Sequence, residues 1–150
     1  MDFPPIAELV PHRGAMLLLE SISAASDTEL EARAAVPAEA WFLDGDGAMP
    51  SWIGIELMAQ AAAALAGLNG RKASQPPRPG VLLGTRSYRA SAGRFPRGAR
   101  LVVSVRLAQA DEIGYAAYDC AIRGPGELLA EATLKVFAPA DFGAFIQSVP

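Results

Sequence analysis

Hydrophobic positions change their period along the chain. In "ELEARAAV" (29–36), Leu30, Ala32, Ala34 and Val36 fall on one side and Glu29, Glu31 and Arg33 on the other. A period of two predicts a half-buried strand. "AMLLLESIS" (15–23), after a short N-terminal segment over about residues 3–10, predicts a strand before it. "PAEAWFLDGDGAMP" (37–50) carries two Asp-Gly pairs and two prolines, the composition of a loop. From Trp52 to Leu68 almost every residue is apolar or Ala, with Glu56 and Gln60 breaking the run. That length predicts a helix, entered from Pro50, capped by Ser51 and ended by "GLNG" (67–70). "RKASQPPRPG" (71–80) reads as a polar, proline-rich loop.

Downstream the pattern returns to strands. "VLLGTRSYRAS" (81–91) is one, and "FPRG" (95–98) is a turn. "RLVVSVRLAQAD" places Leu101, Val103, Val105 and Leu107 on one face. "GYAAYDCAIR", the turn "GPGE" and "LLAEATLKVFA" follow, with Leu128, Ala130, Ala132, Leu134 and Val136 pointing one way in the last strand. Short turns between consecutive strands imply antiparallel pairing. The inventory is therefore about two strands, one long helix and about four strands, in a single domain spanning 1–150. A helix apolar on all sides must be buried all round, and one antiparallel sheet can wrap it. This α+β arrangement is the hot-dog fold. Its exposed sheet edges are expected to pair with a second chain.

Composition narrows the class. Hydrophobic residues make up 51% of the 150, enough for a substantial core and against disorder. The single cysteine, Cys120, has no partner for an internal disulfide, which favours a reducing compartment, the cytoplasm. The N-terminus "MDFPPIAELVPHRG" lacks the apolar run of a secretory leader. The 52–68 stretch is shorter than the roughly 20 residues of a membrane span and carries Glu56, so no span is expected.

Charge is unevenly placed. The formal net is −3, yet no acidic residue lies between Leu57 and Ala110, a window holding nine of the thirteen Lys and Arg. A solvated basic edge explains this; so does a landing surface for an acidic or phosphate-bearing partner. Nucleic acid is a poor candidate, because the whole chain is acidic and has no nucleic-acid motif.

The candidate chemistry starts at Glu56. Burial in the helix disfavours its charged form and suits it to acid–base work near neutral pH; a structural carboxylate is the plainer alternative. Gln60 lies one turn on, on the same face, placed to orient the carboxylate or the substrate, or simply to satisfy the core. His12, in "LVPHRGAMLLLE", is the only histidine and a candidate proton shuttle. One histidine and one cysteine make a zinc site improbable. Asp44 and Asp46 read as loop-capping residues or acid–base reserves; Met49, Trp52 and Met58 read as core or pocket wall.

"LVPHRGAMLLLESI" and "MPSWIGIELMAQAAAALAG" together resemble the beta-hydroxyacyl-acyl-carrier-protein dehydratase family of fatty-acid synthesis. The resemblance continues through "GVLLGTRSYRASAGRFPRGARLVVSV" and touches most of the chain. "FLDGDGAMPSWIGIELMAQ", "LLGTR", "FPRGARL" and "DEIGYAAYDCAI" are most similar to the branch found with aryl-polyene biosynthesis. The resemblance implies a hot-dog dimer that dehydrates (3R)-hydroxyacyl thioesters. The dimer would be a homodimer or a heterodimer with a related dehydratase. The substrate would arrive on acyl carrier protein or as a CoA thioester, with no metal or organic cofactor. Glu56 matches the family's catalytic carboxylate, and Gly84 the glycine whose amide holds the thioester oxygen.

One departure matters. The family's "GHFP" histidine is missing, and "AWFLDGDGAMP" stands in its place. His12, an Asp of that loop, or Glu56 alone must then do its work. The expected mechanism has His12 removing the C2 proton and Glu56 protonating the departing hydroxyl. Gln60 and Trp52 are expected to line the substrate site, and Arg86, Arg89 and Arg94 to meet the phosphopantetheine arm or its carrier. Two alternatives stay open: a hot-dog acyl thioesterase, and a catalytically silent subunit paired with an active dehydratase.

Overall fold

The computed structural model describes residues 2–74, 80–139 and 147–148. Part of the expected proline-rich loop, 75–79, lies outside them. Six strands form one antiparallel sheet in the order β1-β2-β6-β7-β8-β4. They are β1 (Ser21–Ala25), β2 (Glu29–Ala35), β4 (Val81–Ala90), β6 (Arg100–Ala110), β7 (Tyr115–Gly124) and β8 (Glu127–Phe137). Two two-residue strands, β3 (Met49–Pro50) and β5 (Arg94–Phe95), pair separately beside the helix entrance. The one long helix among the described residues, α1 (Ile53–Lys72), packs mainly against β2, β6, β7 and β8. This is the hot-dog arrangement expected from the hydrophobic pattern. No helix among the described residues is long and apolar enough to cross a membrane.

Alternation translates directly into cross-strand rows. Ala32 opposes Val103, Val103 opposes Ile122, and Ile122 opposes Ala130. The next row joins Leu30, Val105, Cys120 and Ala132. All eight are buried against α1. In β8 the pattern holds from Ala130 to Leu134, but a register shift against β7 turns Leu128 out to solvent.

Several expectations fail locally. The first strand begins at Ser21, because residues 14–16 form a 3-10 turn in which Gly14 takes φ +59. The helix does not stop at "GLNG". It runs on to Lys72, because Gly67 and Gly70 stay helical and Lys72 reaches Asp27 at 2.8 Å. Ser51 makes no side-chain cap. Its carbonyl is the partner instead, accepting from the Gly54 N–H and the Tyr88 hydroxyl.

Nor is α1 buried all round. Trp52, Ile55, Glu56, Ala59, Ala63 and Ala66 are partly or largely exposed along one helical stripe. The sheet covers the opposite side, and the N-terminal segment flanks the stripe. At Gly67 that segment packs close against the helix: a methyl there would collide with the Leu9 carbonyl oxygen. The absent side chain lets the two backbones touch.

Candidate active site

Three side chains from two distant parts of the sequence meet beside the N-terminal half of α1. Glu56 and Gln60 project from the helix one turn apart, as an i, i+4 pair must. The Gln60 Nε2 donates to Glu56 Oε1 at 3.0 Å. Segment 9–18 brings His12 to the same oxygen: its Nε2 lies 3.3 Å from Glu56 Oε1.

That segment is held by polar contacts rather than by regular structure. Gln60 is fully buried and bridges to it twice, donating from Nε2 to the Met16 carbonyl at 2.6 Å and accepting from the Leu18 N–H at 2.9 Å. Arg13 folds back and donates to the carbonyls of Val10 and His12, each at 2.7 Å. His12 is thus fixed from both sides in a stretch that would otherwise be free to swing. Its Nδ1 is buried and meets no hydrogen-bond partner.

The helix N-terminus is braced separately. The Tyr88 hydroxyl, carried across from β4, donates to the Ser51 carbonyl, and burial pushes that phenol's pKa up. Gly54 makes this possible: a Cβ there would collide with the hydroxyl and approach Ile122 and Phe95 at 3.1 and 3.3 Å.

The sequence placed Glu56 in a dry interior. Its side chain is instead 36% exposed, and that of His12 26%. The carboxylate sits at the rim of the apolar helix because its stripe is the one the sheet does not cover. Trp52, one turn before it, is 56% exposed and tilts against Trp41 at 6.4 Å, so the two indoles flank the opening rather than fill the core. Met49 and Met58 are core, as expected.

The other expected residues lie elsewhere. Gly84, Arg86 and Arg89 are on β4, an edge strand with two register shifts, and no hydrogen bond or ion pair among the described residues ties them to the His12–Glu56–Gln60 group. Space is open beside Gly84, where a Cβ would meet no atom within 4 Å. Arg86 and Arg89 are exposed. Arg94 is not free in the same way: it pairs with Asp44 and Asp46 at 2.9 Å each. Its hydrogen bond holds the Asp44 carboxyl below the usual range, with help from the Ala48 N–H. Asp44 is the loop cap the sequence suggested, accepting from the N–H groups of Asp46 and Ala48. With Arg94 also engaged, neither carboxylate is a ready acid–base reserve.

Sequence reasoning missed Arg13 and Tyr88. Arg13 stood in plain view within "PHRG", but nothing in a one-dimensional pattern says that its guanidinium turns back on its own carbonyls. Tyr88 carries no local signal, since its partner is 37 residues away. A groove of about 690 Å³ lined by Ala24, Ser26, Arg106 and Asp119 shares no residue with this cluster and has carboxylates but no imidazole in its lining.

Comparison with known proteins supplies the lineage. Among proteins with curated descriptions, none matches this sequence. Of solved structures, the dehydratase heterocomplex ApeI:P from Xenorhabdus doucetiae superposes with a TM-score of 0.91 at 28% identity, covering 97% of each chain. A hypothetical thioesterase with coenzyme A from Streptococcus pneumoniae TIGR4 has a TM-score of 0.62 at 16% identity, covering 79% of this chain and 84% of that one. The E. coli PaaI protein of the phenylacetic acid degradation operon has a TM-score of 0.62 at 14% identity, covering 78% and 81%. At those identities the last two share the fold only. The family model described as ApeP dehydratase matches residues 4–147, nearly the whole chain. With its carboxylate–imidazole cluster at the rim of a hot-dog helix, the chain belongs to the ApeP-like dehydratase family.

Proposed function

We propose that this chain, as one hot-dog domain in the cytoplasm, dehydrates (3R)-hydroxyacyl thioesters carried on acyl carrier protein, in aryl-polyene-type biosynthesis. Glu56 and His12 are its catalytic groups. The observation that carries the reading is the 3.3 Å approach of His12 Nε2 to Glu56 Oε1 at a half-open helix face. Dehydration takes a proton from C2 and gives one to the hydroxyl on C3, two adjacent carbons. Both transfers must therefore happen within a few ångströms, within reach of one held carboxylate and its neighbours.

The remaining roles follow. The Gly84 amide, on an open stretch of β4, is proposed as donor to the thioester oxygen, where a side chain would block close approach. Trp52 flanks the acyl chain. Arg86 and Arg89, exposed and unpaired by any acid among the described residues, are proposed to receive the phosphopantetheine arm or the acidic carrier. A CoA thioester would present the same reacting atoms.

Assembly is proposed through β4. It is a ten-residue edge strand, with Leu82 and Leu83 exposed on it and the exposed Tyr115 lining the same groove as Leu83. Such an edge invites a further strand. The heterocomplex solved for ApeI:P supports a second dehydratase chain as partner, in place of or alongside a second copy.

Glu56→Gln tests the reading. Enoyl product should fall by about 10²–10⁴-fold, the usual yield of general acid–base catalysis, with the fold unchanged. Undiminished turnover rejects it. The openness of Glu56 to water keeps a thioesterase reading in the assay: release of free thiol would reveal that activity, since dehydration releases none. Measuring the purified chain alone and with its partner dehydratase separates an active chain from a silent one.

A further inference from the structure

The hydrogen-bond partners around Glu56 divide its two oxygens, and with them the catalytic labour. Gln60 Oε1 accepts from the Leu18 N–H, which fixes the orientation of the amide. Both protons of Nε2 are then committed, one to the Met16 carbonyl and one to Glu56 Oε1. Fully buried and with every group engaged, Gln60 has nothing left to offer a substrate.

His12 points the same way. Its Nδ1 is buried without a partner. A proton there would be a buried donor with no acceptor, a costly state, whereas an unprotonated Nδ1 loses less. The neutral ring therefore keeps its proton on Nε2, facing Glu56 Oε1 at 3.3 Å, a separation that can tighten when substrate binds. Oε1 thus faces two N–H donors, and a proton carried by Glu56 belongs on Oε2.

We infer that Glu56 is a single-carboxylate proton carrier. Oε2 takes the proton from C2 and delivers it to the C3 hydroxyl, while Gln60 and the His12 Nε2–H hold Oε1. The C2–H bond breaks to Oε2 and its electron pair becomes the C2=C3 bond. The C3–O bond breaks, and the leaving oxygen takes the Oε2 proton to depart as water. Glu56 returns to the carboxylate, and no other reagent enters. His12 is then a donor and not the base expected from the sequence. Gln60 is a positioning residue that ties the His12 segment and the carboxylate into one frame. The inference rests on the proposed dehydratase reading and adds the division of roles.

Replacing His12 by Gln and by Leu tests it. A glutamine amide reaches about where the imidazole Nε2 lies and donates without being a base. His12→Gln should keep kcat within about tenfold of the native protein, and His12→Leu should lose about 100-fold. A base at His12 would instead make His12→Gln as inactive as His12→Leu, and that result overturns the inference. Gln60→Met removes the frame while nearly preserving volume. Its kcat should fall about 100-fold with KM within about twofold, at temperatures where melting shows the protein folded. A kcat unchanged in the folded variant also overturns it. Should Gln60→Met fail to fold, the His12 pair decides alone. Glu56→Gln run in parallel separates the failures: if it stays active the dehydratase reading falls, whereas if it is inactive while His12→Gln is inactive too, only this inference falls.

Discussion

Gly67→Ala puts the packing of the catalytic segment to a quantitative test. In an exposed helix this substitution stabilises by about 1 kcal/mol, because glycine loses more backbone freedom on folding. Here the new methyl would meet the Leu9 backbone, well inside contact with the carbonyl oxygen and at 3.0 and 3.1 Å from its carbon and Cα. Backbone cannot rotate away as a side-chain tip can. The segment must lift by roughly 1 Å, and overpacking of this kind costs about 1–3 kcal/mol. The net expectation is a loss of about 0–2 kcal/mol. Activity should suffer more than stability. His12 lies three residues beyond Leu9, and a displacement on the order of 1 Å at its 3.3 Å approach to Glu56 is enough to cost about 100-fold in kcat. Ala66→Gly is the control: on the exposed side of α1 it should lose about 1 kcal/mol and leave turnover unchanged. Urea unfolding and an absorbance assay of enoyl-thioester formation measure both quantities. A Gly67→Ala protein more stable than the native one and fully active would show that Leu9 does not press on the helix, and the route by which His12 reaches Glu56 would be wrong.

Other expectations can be checked beside it. Burial, and secondarily the charge of Asp119, pushes the Cys120 thiol up from 9.0 to about 12. The folded state then holds its proton where the unfolded chain releases it, so stability is intact below pH 9 and declines as pH rises from 9 toward 12. Cys120→Ala should flatten part of that decline in unfolding measurements, leaving the part due to Tyr118 and Tyr88, whose hydroxyls are also pushed up by burial. Arg86→Ala and Arg89→Ala should raise KM for carrier-bound substrate several-fold, more at low salt, while Arg94→Ala should not, because Asp44 and Asp46 already engage it. Equal effects from all three would dismiss the assignment of the carrier surface. Gly84→Ala should leave the melting temperature unchanged, since its Cβ meets open space, and should lower kcat/KM if the thioester lies against that backbone.

What could be read from sequence was whatever repeats along it. Alternation in 29–36, 100–107 and 130–134 announces which side chains face the core, because a strand alternates faces by geometry alone. A long apolar stretch between two groups of strands leaves a sheet-wrapped helix as the economical solution. Glu56 stood out for the same reason, as a charge in an apolar run, and Gln60 shared its face by helical spacing. The structure decided what depends on distance across the chain. The sequence located His12 but not its approach to Glu56 from 44 residues away, nor the arginine and the buried amide that fix the loop between them. Glu56 is half open, not sealed, because exposure depends on which helix stripe the sheet leaves uncovered, and a stripe of alanines looks the same in sequence whether covered or bare. Arg94 meets Asp44 and Asp46 through a contact spanning about fifty residues. Periodicity is a local property, so sequence alone can determine the elements and the buried faces of the strands. Which polar atoms meet at the site is set by long-range closure of the chain, and only the folded molecule holds that information in readable form.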